Sequence, residues 1–187
     1  MNAAPTPRPR DATKTRQRIL AAAQQAFSRS GYSEVGIRDI AAIAGVNSAL
    51  LLRYFGSKSA LFEAALIDAM RLDDVLAGDR ARLGVRLMRL FLDRRLEIRP
   101  PALIGLSLGN PDARDIAARV TQAHVIQPVA RWLGAPDGHA RALEIFMLAM
   151  GFVAYSRQLP VISSNKTSQK KVATWFAQTV QQIVDRQ

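Results

Sequence analysis

The stretch IAAIAGVNSALLLRYFGSK, Ile40 to Lys58, decides the fold. An apolar, helix-like run breaks at Gly45, restarts after Asn47, sets Leu50, Leu51 and Leu52 in a row, and ends on Arg53, Tyr54, Phe55 and a basic tail. Glycine tolerates the left-handed backbone that closes a helix, and Asn47 or Ser48 can cap the free amides of the helix that follows. Val46 and Leu51 are spaced to pack back on Ile40 and Ala44, which fixes the angle between the two helices. Ala49 is small enough to let another body approach closely. In such a helix-turn-helix the second helix lies in a DNA major groove, its N-terminal residues facing base edges while the first helix crosses the backbone. Asn47, Ser48 and Arg53 carry the hydrogen-bonding groups that this surface needs. Lys58 opens the next helix, where an ammonium and free amides can both meet a phosphate.

The flanking sequence extends the pattern. From Thr13 the residues Ile19, Ala23, Ala26 and Phe27 fall three or four apart on one face, a supporting helix that Gly31 ends. A second helix starts near Gly36 or Ile37 and buries Ile37, Ile40, Ala41 and Ala44. A fourth, capped by Ser57, runs from Lys58 to about Val75 with Leu61, Phe62, Ala65, Leu66 and Ala69 on its apolar face. Beyond Gly78 helical segments are expected at about 79–98, 101–108, 112–133, 138–159 and 167–184. They are separated by turn and helix-start chemistry in RPP, GNP, GAPDG and PVISSN. The absence of any alternating strand pattern predicts an all-α chain of about nine helices.

Composition narrows the function. The 187 residues are 49% hydrophobic and 22% charged, the balance of a folded domain. Twenty-six Lys and Arg against 15 acids give a net charge of +11, a field that favours a polyanionic partner. Residues 1–58 hold nine basic side chains against three acidic ones, a net +6, so positive charge is densest at the helix-turn-helix end. With no cysteine and only two histidines, His124 and His139, neither a metal site nor a cofactor is expected. No phosphate loop or serine elbow suggests an enzyme. The apolar run from Ala142 to Tyr155 carries Glu144 and is shorter than the roughly 20 residues of a membrane span. The basic start is followed by an amphipathic helix and not by a secretory core. A cytoplasmic protein without a membrane partner is expected.

The segment from Thr15 to Leu66 resembles the N-terminal domain of the TetR, or tetracycline-repressor-like, family of bacterial transcriptional regulators. The pieces that carry the resemblance are RILAAA with Phe27, then GY, IRDIAAIAGV, YF and SK. It implies an all-helical homodimer whose three-helix head binds double-stranded DNA at a palindromic operator, and whose C-terminal helices dimerise and enclose a small-molecule pocket. On that basis residues 1–11 form a flexible basic arm, 12–72 the DNA-binding domain with its helix-turn-helix at about 36–55, and 73–187 the regulatory and dimerisation domain. The residues expected at DNA are Gly36, Ile37, Arg38, Asn47, Ser48, Ala49, Leu50, Arg53, Tyr54 and Lys58. Tyr54 and Lys58 match the family's backbone-contacting tyrosine and phosphate-contacting lysine. Gly36, Leu50 and Leu52 depart from a usual Ser or Thr, Thr and Tyr. Each loses a hydroxyl, while the leucines could touch thymine methyls. Leu51 is expected in the core, with Leu50 the least buried of the three leucines.

For the C-terminal half, Met88, Phe91, Leu103, Leu106, His124, Met147, Phe152 and Tyr155, with Leu87 and Met150 beside them, are the residues expected to line a pocket, with His124 as its polar contact. Trp132 and Trp175 are expected to anchor helix packing, and the last two long helices to pair with a second copy. The reading is a one-component regulator, a repressor released from its operator by a small-molecule effector. Its alternative is a dimeric DNA-binding protein that takes no ligand and whose C-terminal half only dimerises.

Overall fold

The computed structural model describes residues 9–159, 161 and 165–186, and all regular structure among them is helical. The helices are α1 (Pro9–Glu34, broken at Gly31, where φ 77° and ψ 171° leave the helix as expected), α2 (Ile37–Ala44), α3 (Ser48–Phe55), α4 (Lys58–Ala69), α5 (Asp73–Leu76), α6 (Leu83–Leu92), α7 (Pro100–Gly105), α8 (Pro111–Thr121), α9 (Gln127–Leu133), α10 (Gly138–Val153) and α11 (Lys166–Asp185). α5 is a single turn, and α8 runs into α9 through a π-helical stretch, Gln122–Ile126. That leaves nine helices of more than one turn among the described residues, as expected. Most of the basic arm, residues 1–8, lies outside the described residues, and α1 begins at Pro9, four positions before Thr13.

Three further differences have local causes. α4 stops at Ala69 and not near Val75. Asp73 and Asp74 would sit at the negative end of an extended α4, whereas they open the first turn of α5, where the helix dipole favours them. The helix expected at 79–98 is a 3-10 turn, Arg80–Arg82, followed by α6, which ends at Leu92. There Asp93 accepts from the Arg95 backbone N–H at 3.1 Å and grips its guanidinium at 2.9 and 2.8 Å. Such local side-chain bonding competes with helix continuation. Arg157 Nη1 donates to the carbonyls of Phe91 and Asp93, both at 3.2 Å, and secures the same end. Within 111–133, Pro128 has no N–H to donate and its ring would crowd the preceding turn. The π-helical stretch just before it absorbs that misfit.

Two packed regions share one core. In the head, Ile19, Leu20, Phe27, Ile40, Leu51, Leu61 and Phe62 are each 1% exposed or less. Phe27, Tyr32 and Phe62 stack or meet edge-on at 5.1–5.9 Å between ring centroids. In the body, Phe152 stacks on Phe176 at 4.3 Å, with Phe91 beside both. α6 crosses α11 so closely that a β-carbon on Gly84 would lie 2.0 Å from the Ala177 carbonyl oxygen. Arg141, 1% exposed, is held by the C-terminal carbonyls of two helices, with Nη2 to Gly134 O and Nη1 to Arg186 O, both at 2.8 Å. Converging negative helix ends offset part of the cost of burying its charge.

Head and body are tied by polar bridges. Arg119 Nη1 of α8 pairs with Glu63 Oε1 of α4 at 2.7 Å, and Asn110 Nδ2 lies 3.3 Å from Ser33 Oγ. Among the described residues no helix is long and apolar enough to cross a membrane.

Candidate nucleic-acid interface

Each boundary of the helix-turn-helix follows from a residue that the local backbone requires. Gly36 is extended and its N–H donates to Asp39 Oδ2 at 2.8 Å, the half of a capping box that a glycine can supply. Gly45 takes φ 62°, ψ 40° and closes α2 with two bonds, Gly45 N–H to Ala42 O at 3.1 Å and Val46 N–H to Ala41 O at 3.0 Å. Asn47 Oδ1 then accepts the Leu50 N–H at 2.7 Å and starts α3. Ser57 Oγ accepts the Ala60 N–H at 3.0 Å and starts α4. Ile40 and Leu51, both 0% exposed, lock α2 against α3 from beneath. Burying a leucine fully is worth about 1.5–3 kcal/mol.

With Leu51 inward, α3 turns Ala49, Leu52, Arg53 and the Gly56 that follows outward, at i, i+3, i+4 and i+7. These residues form one exposed stripe, joined at its N-terminal end by exposed Asn47. Of the residues expected at DNA, Arg38, Asn47, Ala49 and Arg53 are exposed, while Gly36, Ile37, Ser48, Leu50, Tyr54 and Lys58 are half-buried. The expected order of the leucines is corrected. Leu52 is 41% exposed and Leu50 is half-buried, because α3 is rolled so that Leu50 leans toward the head. Asn47 Oδ1 is committed to the cap, so its amide nitrogen is the group left to face outward.

Basic side chains on neighbouring elements brace this surface. Lys58 Nζ lies 4.5 Å from the centre of the Tyr32 ring, which fixes the ammonium at the N-terminus of α4. Burial, and next the carboxylate of Asp112, push the Tyr32 phenol above its usual pKa, so the ring under Lys58 is neutral. Arg16 of α1 stacks 5.3 Å from the centre of the Phe55 ring at the end of α3. Arg18 of α1 donates Nη2 to Ala44 O at 2.6 Å and to Gly45 O at 3.1 Å. It therefore clamps the turn from outside. Neither arginine is legible as a brace in the sequence, because each contact spans 26 or more residues.

The body contains a cavity of about 370 Å³ at the C-terminal end of α4, bounded by α6 and α10 and capped by the loop before α7. Met70, Leu90, Phe91, Val129 and Phe146 form apolar wall, and Gln24, Glu97 and Arg99 supply polar groups. Of the residues expected in a pocket, Phe91, Leu87 and Met150 line this cavity and the others do not. His124 is exposed, since Val125 and Ile126 take the inward positions of the π-helical stretch. Leu103 is packed solid at 1% exposure. Leu106 is 46% exposed and rests against Gly31. Met88 borders a separate cleft with Arg94, Lys166 and Lys170. Phe152 is buried against Phe176. Met147 and Tyr155 are 64% and 52% exposed on the outer face of the α10 stretch, beside Trp175 at 52%. Trp175 therefore belongs to a surface and does not anchor the core, whereas Trp132 is half-buried under Arg80.

A helix-turn-helix with one exposed, basic-flanked face, carried on an all-helical body, is the build of a DNA-binding transcriptional regulator. The family described as bacterial regulatory proteins, tetR family, matches residues 19–65. The tetracyclin repressor-like C-terminal domain matches residues 81–184, more than half of the chain. The chain belongs to the TetR family of transcriptional regulators. Its fold is similar to a candidate TetR-family regulator from Rhodococcus sp., with TM-score 0.74 at 21% identity over 92% of this chain and 100% of that one. It is also similar to a TetR-family regulator from Streptomyces coelicolor A3, with TM-score 0.55 at 26% identity over 96% and 99% of the two chains. A third similar structure is a candidate TetR-family regulator from Mesorhizobium loti MAFF303099, with TM-score 0.63 at 18% identity over 92% and 96%. No curated protein matches the chain.

Proposed function

We propose that the protein is a repressor that binds a palindromic operator as a homodimer and leaves it when a small molecule occupies the body. The observation that carries this reading is the exposed stripe of α3, Ala49, Leu52, Arg53 and Gly56, with Asn47 at its head. A small residue lets the backbone approach the duplex, an arginine can bond base edges or phosphates, and a leucine can meet thymine methyls. Arg38 and Lys58 flank the stripe as phosphate contacts, with Gly36, Ile37, Ser48, Leu50 and Tyr54 at its edges. The unit doing this work is 12–72, and 73–187 is the regulatory and dimerisation unit.

Dimerisation through α10 and α11 is supported by an apolar groove of about 650 Å³ between them, bordered by exposed Met147, Tyr155 and Trp175. Contiguous apolar surface of this kind marks an association site, and two copies joined there form a four-helix contact. Two reading helices related by a twofold axis meet half-sites about one helical turn apart.

Effector control is supported by the place of the cavity in the body. Met70 and Leu72, directly after α4, line it, so an occupant bears on the helix that carries the head. Release follows only to the extent that the occupant prefers the arrangement that cannot bind DNA. Footprinting of the full-length protein on the DNA flanking its own gene is the test. Two protected half-sites related by a dyad, with one dimer bound, are expected; a single unsymmetrical footprint by a monomer would contradict the reading.

A further inference from the structure

We propose that this cavity takes an apolar monocarboxylate, and that its carboxylate binds Arg99 in place of Glu97. The proposal rests on the reading of the cavity as an effector site and names the chemistry that site accepts.

Arg99 lies at the mouth of the cavity with its side chain only 15% exposed. Its guanidinium is incompletely used. Nη1 donates to Ala21 O at 3.1 Å and to Gln24 Oε1 at 3.3 Å, and Nη2 is paired with Glu97 Oε2. Nε is buried and has no hydrogen-bond partner among the described residues. A guanidinium meets a carboxylate best as a two-pronged fork, and Glu97 supplies one prong. Glu97 is also 66% exposed, so it can swing into water at little cost. A ligand carboxylate reaching Nε and Nη2 together would satisfy the orphaned donor and complete the fork.

The rest of the cavity sets the remainder of the ligand. Its deep wall, including Leu90, Phe146 and Val129, is apolar. A volume of about 370 Å³ holds roughly a dozen water-sized groups at about 30 Å³ each. Arg71, the other cation lining it, is 68% exposed and paired with Asp73, and so offers no comparable desolvated anchor.

The same arginine connects ligand to head. Gln24 accepts from Arg99 and in turn donates through Nε2 to Ala65 O at 3.2 Å and Asp68 Oδ2 at 2.8 Å, both on α4. A carboxylate drawing the guanidinium toward the cavity pulls Nη1 away from Gln24 Oε1 and Ala21 O, and loosens the polar bridge between α1 and α4 where the body meets the head.

Calorimetric titration of the full-length protein with decanoate and with decanamide, an uncharged molecule of the same shape, tests this. Wild type is expected to bind decanoate at least about tenfold tighter, the worth of a charged hydrogen-bond pair. Arg99→Met should erase that preference. Glu97→Gln, which removes the competing carboxylate, should tighten decanoate severalfold and leave decanamide unchanged, a gain that misfolding cannot imitate. Ala149→Trp, which fills the cavity, should remove both ligands. Equal affinity for the two ligands, no binding of either, decanoate binding that survives Ala149→Trp, or indifference to both Arg99→Met and Glu97→Gln would overturn the proposal. Operator release is measured separately. Decanoate binding with the stated signatures but no change in DNA affinity would uphold the ligand chemistry and refute the effector reading.

Discussion

Replacing Arg18 by methionine keeps an unbranched side chain on α1 and removes the guanidinium that donates to Ala44 O at 2.6 Å and Gly45 O at 3.1 Å. A hydrogen bond to a charged group contributes about 1.5–3 kcal/mol net, and a cation at a helix C-terminus about 0.3–1 kcal/mol. Arg18 is exposed, so water competes for both, and the lower end applies: a loss of about 1–2 kcal/mol. For a chain of this size that is a fall in Tm of roughly 2–8 °C. The effect on DNA is of a different kind. Arg18 holds the turn that aims α3, so operator affinity should fall on the order of tenfold, about 1.4 kcal/mol. The slope of log affinity against log salt should stay nearly constant, because no phosphate contact is lost. Lys58→Ala should do the reverse, weakening binding to all DNA alike and lowering the salt slope. Thermal denaturation and fluorescence anisotropy across a salt series read both quantities. If Arg18→Met left Tm and affinity unchanged, or acted wholly through the salt slope, the clamp would be a surface contact without consequence.

Asn47 combines two roles that substitution can separate. Asn47→Asp should keep the cap on α3 and the stability while weakening operator binding, because a donor becomes a negative charge. Asn47→Ala should lose about 1 kcal/mol of stability as well, as chemical denaturation will read. Gly84→Ala pushes a methyl against Ala177 O, forces α6 and α11 apart, and should destabilise the chain by about 1–3 kcal/mol or more in thermal melts. The hydrogen bonds from Arg95 hold the carboxyl of Asp93 down at about 2. A lowered folded pKa stabilises the loop above the ordinary carboxylate range and loses that contribution as pH falls from about 4 through about 2. NMR titration of Asp93 should show the low midpoint, and Arg95→Ala should raise it part of the way, because the backbone N–H of residue 95 and the charge of Arg157 remain.

The head was legible because its boundaries are written in local chemistry. Gly45, Asn47 and Ser57 each perform at the backbone what their residue type predicts, and the period of Ile40, Ala44 and Leu51 sets the buried face. Which neighbour of Leu51 faces outward was not legible, since the roll of α3 depends on how α1 and α4 receive it. The cavity was less legible still. Gln24, Met70, Phe91, Val129 and Phe146 come from five separated parts of the chain and meet only through long-range packing. Apolar periodicity marks a residue such as Met147 or Tyr155 as non-aqueous, yet does not distinguish an interior wall from an exposed outer face. The end of α6 is encoded locally in the Asp93–Arg95 pair.

The central claim is that this chain reads a DNA sequence through the exposed face of α3. Its most direct test is equilibrium anisotropy of the full-length protein on the duplex flanking its own gene against a scrambled duplex, at near-physiological salt. A preference of at least about 10³ is predicted, the lower range for specific sites, and it should collapse when Arg53 and Asn47 are both replaced by alanine. Equal, weak and steeply salt-dependent binding to both duplexes, unaltered by those substitutions, would contradict it.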